Sequence, residues 1–234
     1  MTDFEQIKIV IVKPDGRESG ELIIDLPDPK LAADQKAKTD AAFAEMRTLA
    51  QQNPDMAIKN FAAYVFDGAT EATEMLYALR QEGLAKRAFE NLSQIADMHH
   101  DARMKFYSIW KEKGHHLRRE VGDDFILIDA LKRVLPVYIG QAVRLYRGEA
   151  EKEFSTGNIG LSWTSDKSSA EIFAGGWNCL EPSGGVLIEA IAPIEAIIAG
   201  PIIDGVTGWE CEYVVDRRRL GNIKALKLFP LPQR

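Results

Sequence analysis

The chain has 234 residues, of which 46% are hydrophobic and 27% are charged, a composition that supplies a core and excludes a disordered chain. Its formal net charge of −6 argues against broad electrostatic attraction to nucleic acids or to anionic membranes. The two cysteines, Cys179 and Cys211, have neither the spacing of metal ligands nor that of a disulfide framework, so a reducing cytoplasm is the expected location.

The first residues lack the basic and apolar segments of a signal peptide. The most apolar stretch, residues 185–206, is interrupted by charged residues and prolines, so we expect no membrane span. If the protein acts in another cell, its delivery would need a route that does not use a signal peptide.

Two short aliphatic segments, residues 7–12 and 21–26, open the chain. Turn-forming residues at 14–16 and 19–20 lie between them, which predicts a β-hairpin. From residue 31 to residue 135 the apolar positions recur every three or four residues, which predicts four or five helices. Breaks are expected near 53–55, near 67–68 and at Gly114, because these positions carry helix-breaking residues.

After Pro136 the pattern changes to that of strands, which are predicted at 143–146, 185–191, 196–198, 213–215 and 223–228. A helical segment followed by a strand-rich segment predicts the α+β class. We expect residues 1–135 to form a hairpin and a helical lobe, and residues 136–234 to form a β-rich core. No linker separates the two, so one compound domain is expected.

Two groups of polar residues lie in the β-rich half. Arg147 and Gly148 follow the strand predicted at 143–146, and the triplet Ser162, Trp163 and Thr164 comes next. Arginine matches phosphate with a planar fork of donors, and glycine allows a close approach to the backbone. Together they are typical of a site that binds an anionic ligand.

A pair of carboxylates follows further along the chain. Glu210 and Glu212 precede the strand predicted at 213–215, and Phe173 lies on a helix predicted to begin near 166–169. Residues two apart in an extended segment point the same way, so both carboxylates can face one cleft.

An arginine, a hydroxyl-bearing triplet and a Glu-x-Glu pair, in this order, resemble the arginine–serine–glutamate branch of the ADP-ribosyltransferases over residues 145–215. The resemblance implies a split mixed β-sandwich with NAD as the substrate, nicotinamide as the leaving group and no metal. It also implies mono-ADP-ribosyl transfer to a macromolecule, with a protein arginine as the expected acceptor and nucleic acid as the alternative.

The resemblance implies a role for each motif residue. Glu212 would stabilise the positive charge that develops on the ribose, and Glu210 would orient the acceptor and take its proton. Ser162 would hydrogen-bond Glu212, and Arg147 would bind the NAD diphosphate. Gly148 would let the ligand approach the backbone.

Three further residues are expected to contact the ligand. Phe173 would stack on the nicotinamide, and Thr164 would complete the triplet. Trp163 stands where the family usually has threonine, which is a departure from the motif. Each of these residues also has a purely structural interpretation, such as a core position for Phe173 or for Trp163.

Two rival functions remain open. An NAD glycohydrolase would use water as the acceptor at the same site, and a catalytically inactive binding or interaction module would share only the fold. An antitoxin or inhibitor partner is compatible with a toxin-like enzyme, and the oligomeric state is left open.

The helical half carries a basic stretch from Arg103 to Arg119 with interleaved aromatic residues. A nucleic-acid or acidic-protein surface is one interpretation, but an amphipathic helix with Phe106 and Trp110 in the core is favoured because the chain is acidic. The histidines at 99–100 and 115–116 fit no standard zinc spacing. The three arginines at 217–219 are expected to form a solvated turn.

Overall fold

The computed structural model describes residues 6–12, 18–25, 29–96, 98–201 and 212–232. The predicted N-terminal hairpin is confirmed, since β1 (Gln6–Val12) pairs antiparallel with β2 (Glu18–Asp25). The predicted turn at 14–16 lies outside the described residues. The turn predicted at 19–20 is wrong, because this dipeptide belongs to β2, where Gly20 pairs with Ile11 and the register then shifts.

Six helices form the helical lobe within the described residues, where four or five were predicted. None of the helices that the structure describes is both long and apolar enough to cross a membrane. The bounds are α1 (Pro29–Gln52), α2 (Pro54–Asp67), α3 (Glu71–Gln81), α4 (Ala85–Leu92), α5 (His100–Val121) and α6 (Asp124–Val134).

Local sequence explains where these helices end. Asn53 caps α2 by accepting a hydrogen bond from the Met56 amide, and Gly68 ends that helix with a φ of 63°. Gly122 ends α5 in the same left-handed conformation, which glycine adopts without steric cost. The break predicted at Gly114 is wrong, because Gly114 lies inside α5. A Cβ atom there would come within 2.9 Å of the Trp110 ring, so the glycine makes room for the indole.

The C-terminal half contains two more helices and a six-stranded sheet with the strand order β6-β7-β4-β3-β5-β8. The α+β class is therefore confirmed. The strands are β3 (Val143–Ala150), β4 (Ser162–Thr164), β5 (Gly185–Ala192), β6 (Ile197–Ala199), β7 (Glu212–Val215) and β8 (Gly221–Phe229). The helices are α7 (Glu151–Ser155) and α8 (Lys167–Gly175).

The sheet consists of two three-stranded halves joined at one place. Strands β3 and β5 share eight register pairs, whereas β3 and β4 share the single pair Tyr146 and Thr164. One hydrophobic cluster contains Leu145 and Ile188 from one half and Trp163 and Val215 from the other. The mixture of strand directions that was expected is absent from the described pairs, which are all antiparallel.

The helical lobe and the sheet share a second hydrophobic cluster. Its members come from α1 to α6 and include Leu161, Ile198 and Val214 from the C-terminal half. Burial of these apolar side chains is the main force that holds the lobe against β6 and β7. Because this packing fixes α5 relative to the sheet, it also shapes the space between them.

An ionic network around Asp216 reinforces the contact between the lobe and the sheet. Asp216 is 0% exposed and accepts hydrogen bonds from Lys132 of α6 at 2.6 Å and from Arg218 at 2.7 Å. Arg217 pairs with Asp124 at 2.9 Å, and Arg218 pairs with Asp129 at 3.0 Å. The prediction of a solvated arginine turn is therefore wrong, because two of the three arginines face carboxylates of α6.

Burial opposes ionisation of Asp216, but the hydrogen bonds and charges of Arg218 and Lys132 outweigh it. They lower the pKa of Asp216 to about 2. The carboxylate is therefore ionised at neutral pH, and its charge is balanced by neighbours on both sides of the contact.

Candidate functional site

A cleft of about 670 Å³ lies between the helical lobe and the sheet. A volume of this size is in the range of small-molecule and cofactor sites, about 300–1,000 Å³. One wall is α5, the second consists of β3, β4 and β7, and the third is α8 with the turn after it. The lining residues are Trp110, Lys111, Gly114, His115, Tyr146, Arg147, Gly148, Ser162, Trp163, Thr164, Ser169, Ala170, Phe173, Trp177, Asn178 and Glu212.

The cleft brings together seven of the eight residues that the sequence motifs singled out. Arg147 and Gly148 lie on β3, the triplet 162–164 forms β4, Phe173 lies on α8 and Glu212 begins β7. The eighth, Glu210, lies outside the described residues. Motif residues that are far apart in sequence therefore meet because β3, β4 and β7 are neighbours in the sheet.

The register between β4 and β7 decides which hydroxyl faces Glu212. Thr164 is paired with Glu212, whereas Ser162 is paired with Val214. Directly opposite residues in an antiparallel pair have Cβ atoms about 5 Å apart, and diagonal ones are about 7–8 Å apart. The register therefore makes Thr164, and not Ser162 as expected, the nearer hydroxyl to Glu212. The Thr164 hydroxyl oxygen accepts a hydrogen bond from the Asp166 amide at 3.0 Å, which leaves its proton available for donation.

Tyr107 of α5 approaches Glu212 from the helical lobe. Its hydroxyl donates to the main-chain carbonyl oxygen of Glu212 at 3.5 Å, which is a long hydrogen bond. Burial of the ring, together with the negative charge of Glu212, raises the pKa of Tyr107 to about 12. The hydroxyl therefore stays protonated at neutral pH and is a donor beside Glu212.

Arg147 is held by two partners within the sheet. Its Nε donates to Glu149 at 2.7 Å, and its Nη1 donates to the main-chain carbonyl of Ser162 at 2.6 Å. A Cβ atom on Gly160 would come within 2.2 Å of Nη2, so glycine leaves room for the guanidinium in this position. Arg147 thus ties β3 to the residues that lead into β4, and its charge already has a carboxylate partner.

Glu149 is buried, and the amides of Gly160 and Ala150 donate to it as well. Burial alone would raise the pKa of Glu149, but the charge and hydrogen bond of Arg147 and the two amides lower it overall. Glu149 is therefore a carboxylate at neutral pH. A buried ion pair of this kind is costly to break, because removing one partner leaves the other charge unpaired.

Gly148 lines the cleft for a different reason from the one expected. A Cβ atom at this position would lie 2.3 Å from the Ala174 amide nitrogen and 2.5 Å from the Ala170 carbonyl oxygen. Both atoms belong to the backbone of α8. The glycine thus allows α8 to pack closely on β3, and the space beside its Cα is filled by the helix rather than left for a ligand.

The two aromatic residues of the sequence motifs have opposite environments. Trp163 is 2% exposed, and its Nε1 donates to the Gly160 carbonyl at 3.0 Å, so its ring belongs to the core. Phe173 is 41% exposed on α8, so the alternative that Phe173 fills the core is wrong. Trp177, which the motifs did not single out, is 80% exposed and lines the cleft beside Phe173. These two exposed rings supply an apolar wall.

The α5 wall was also missed by the sequence motifs. Phe106 and Trp110 are buried, as predicted for an amphipathic helix. Lys111 and His115, however, line the cleft instead of pointing only into solvent. Their spacing of four residues places them on one face of α5, which was the available signal.

The histidines lie at the start of α5 and in its second half. Among the residues that the structure describes, no group of three or more His, Cys, Asp or Glu side chains could hold a metal ion. The rings of His115 and His116 are neighbours, with centroids 3.8 Å apart. Partial desolvation, together with the positive charges of His116, Arg119 and Lys113, lowers the pKa of His115, so this imidazole is mainly neutral at pH 7.

Comparisons of the chain with protein-family models, with curated proteins and with solved structures found no match.

Proposed function

We propose that the chain is a mono-ADP-ribosyltransferase that transfers ADP-ribose from NAD to a macromolecular acceptor and releases nicotinamide. The observation that carries the proposal is the meeting of Arg147, Thr164, Phe173 and Glu212 around one cleft. These residues come from three strands and a helix, and their sequence motifs resemble those of the arginine–serine–glutamate branch of the ADP-ribosyltransferases. A protein arginine remains the expected acceptor, with nucleic acid as the alternative.

The lining of the cleft has the chemical character that NAD requires. Exposed Phe173 and Trp177 offer aromatic faces for a flat ring. The lining also contains a cationic side chain, Lys111, that suits the phosphates, and Glu212 supplies a carboxylate for the ribose. The cleft volume of about 670 Å³ also accommodates a ligand of dinucleotide size.

In the proposed reaction, the bond between the ribose anomeric carbon and the nicotinamide nitrogen breaks, and its electron pair leaves with nicotinamide. The positive charge that develops on the sugar would be stabilised by Glu212, which is an electrostatic effect in a site partly shielded from water. A nitrogen of the acceptor guanidinium then forms the new bond and loses a proton. Glu210, which lies outside the described residues, is the predicted acceptor of that proton.

Thr164 and Tyr107 would act on Glu212 and not on the substrate. Thr164 lies opposite Glu212 in the register, and Tyr107 contacts its carbonyl. A carboxylate with several fixed neighbours loses less conformational freedom when it meets the substrate, which favours a preorganised site. Both are therefore proposed as positioning residues.

The proposal is tested by incubating the protein with radiolabelled NAD and a cell lysate, then counting label in protein, nucleic acid and free ADP-ribose. Label in a macromolecular fraction is expected, and Glu212→Gln should reduce it by at least about 100-fold, the typical effect of losing an electrostatic catalytic group. Glu195→Gln is the matched control, because Glu195 is exposed and does not line the cleft.

Each alternative outcome has a distinct meaning. Label that appears only in free ADP-ribose would show an NAD glycohydrolase. Intact NAD with the wild-type protein would contradict both enzymes and favour a binding or interaction module. Activity that survives in folded Glu212→Gln would contradict the assignment of the catalytic carboxylate.

A further inference from the structure

Lys111 is the cation of the α5 wall. Its Nζ lies 5.1 Å from the centroid of the Tyr107 ring, so the ammonium group is placed over an aromatic face. Throughout residues 6–12, 18–25, 29–96, 98–201 and 212–232, no carboxylate forms an ion pair with Lys111. Its charge is therefore available to a ligand in the cleft.

The other full cation of the lining is already neutralised. Arg147 donates to the buried carboxylate of Glu149 and to the Ser162 carbonyl, so two of its donor positions are occupied. A phosphate that approached Arg147 would also approach Glu149, and the two negative charges repel each other. The arginine of the motif is thus poorly suited to bind a diphosphate unaided.

His115 cannot replace Lys111 as the main positive charge at neutral pH. It lies one helical turn further along α5 and lines the same cleft. Because partial desolvation and nearby cations lower its pKa, His115 presents mainly a neutral ring with one N–H donor. The α5 wall therefore offers one ammonium group and one imidazole on the same face.

We propose that Lys111 binds the phosphate groups of the nucleotide in this cleft, with His115 as a neighbouring hydrogen-bond donor. The inference rests on the proposed function, because it assigns the diphosphate of NAD to the helical lobe. It transfers the phosphate-binding role from the arginine of the sheet to a lysine of α5. The helical lobe is then part of the substrate site and not only a support for it.

The test is calorimetric titration with two probes that react weakly or not at all. ADP-ribose carries the diphosphate, whereas nicotinamide riboside carries no phosphate. Lys111→Gln should weaken ADP-ribose binding about 10- to 100-fold, the effect of losing a charge-assisted hydrogen bond. Binding of nicotinamide riboside should be unchanged. Lys111→Arg should retain most of the affinity for ADP-ribose.

Lys113→Gln is the matched control. Lys113 is exposed on the same helix and does not line the cleft, so its substitution removes the same charge from outside the lining. The affinity of the Lys113→Gln variant for ADP-ribose should stay within about twofold of wild type at physiological salt, because an exposed charge outside the lining is largely screened by salt. Both lysines are exposed, so circular dichroism should show that both variants fold normally.

Failure of the inference and failure of the proposed function can be told apart. If the wild-type protein binds ADP-ribose and the Lys111→Gln variant binds it with equal affinity, the inference about Lys111 is overturned and the proposed function is not. Equal losses in Lys111→Gln and Lys113→Gln would also overturn it, since the effect would then be one of overall charge. No binding of NAD or ADP-ribose by the wild-type protein would overturn both proposals.

Discussion

Thr164 and Glu212 are register partners on the neighbouring antiparallel strands β4 and β7. The pairing places a hydroxyl beside the carboxylate that is proposed to be catalytic. Ser162 has the position in the motif that would normally support this carboxylate, but it lies opposite Val214. Strand register cannot be read from a linear motif, and here it places Thr164 rather than Ser162 of the same triplet opposite Glu212.

Thr164→Val should lower kcat for transfer about 10-fold, because it keeps the shape of the side chain but removes the donor beside Glu212. Ser162→Ala should lower kcat less than about threefold. Thr164→Ser, which keeps the hydroxyl, should recover most of the rate. A larger loss in Ser162→Ala than in Thr164→Val would restore the serine to the supporting role.

Tyr107→Phe should lower kcat about threefold to tenfold with little change in KM for NAD, since a long hydrogen bond to Glu212 contributes about 1 kcal/mol. The ring stays in the core, so the thermal midpoint should change little. Ser108→Ala is the control, because it removes an exposed hydroxyl from the same helix. Identical kinetics in Tyr107→Phe and wild type would exclude a positioning role for the tyrosine.

Arg147→Ala should destabilise the fold by about 3–5 kcal/mol, because it leaves the buried carboxylate of Glu149 without its counter-charge. Arg144→Ala on the same strand should cost less than about 1 kcal/mol, because Arg144 is exposed and its pair with Glu189 spans 3.4 Å. Urea unfolding measures both. Comparable stability of the two variants would show that the Arg147–Glu149 pair is not a structural tie.

Asp216→Asn should reduce the free energy of unfolding at pH 7 by about 3 kcal/mol, because Lys132 and Arg218 lose their shared carboxylate. Asp129→Asn, which removes a half-exposed partner of Arg218, should cost less than about 1 kcal/mol.

The same contact predicts a pH dependence. The folded-state pKa of Asp216 is about 2, below the value of about 3.9 expected for an unfolded aspartate. The stabilisation from this shift, about 2 kcal/mol, is therefore fully present above pH 4 and is lost as the pH falls toward 2. The stability difference between wild type and Asp216→Asn should shrink over this interval. A difference that stays constant from pH 5 to pH 2 would contradict the shifted pKa.

Gly148→Ala should lower the thermal midpoint by several degrees, because the added Cβ would overlap the backbone of α8 at Ala174. Overpacking of this kind costs about 1–3 kcal/mol. Gly221→Ala is the control, since the nearest atom to its Cβ position is 3.8 Å away. A normal midpoint for Gly148→Ala would mean that α8 can move away from β3 without loss of stability.

Several features of the protein could be predicted from the sequence because their causes are local. Apolar periodicity predicted the helical lobe, and the aliphatic segments after Pro136 predicted five of the six strands of the sheet, all except β4. The order of arginine, hydroxyl triplet and glutamate selected residues that line one cleft. Local rules also placed α8, whose N-cap Asp166 accepts hydrogen bonds from the amides of Ser168 and Ser169.

The environments of the same residues were decided only by tertiary structure, because burial and register depend on segments distant in the chain. Trp163 and Phe173 are both aromatic, yet packing buries the first and leaves the second at the cleft. Only glycine fits at position 148, because the backbone of α8 occupies the space that a Cβ atom would need. Lys111 lines the cleft because the shared hydrophobic cluster fixes α5 beside β7. The linear sequence selected the candidate residues, because motifs are local, while long-range packing determined which of them face the cleft and which stabilise its walls.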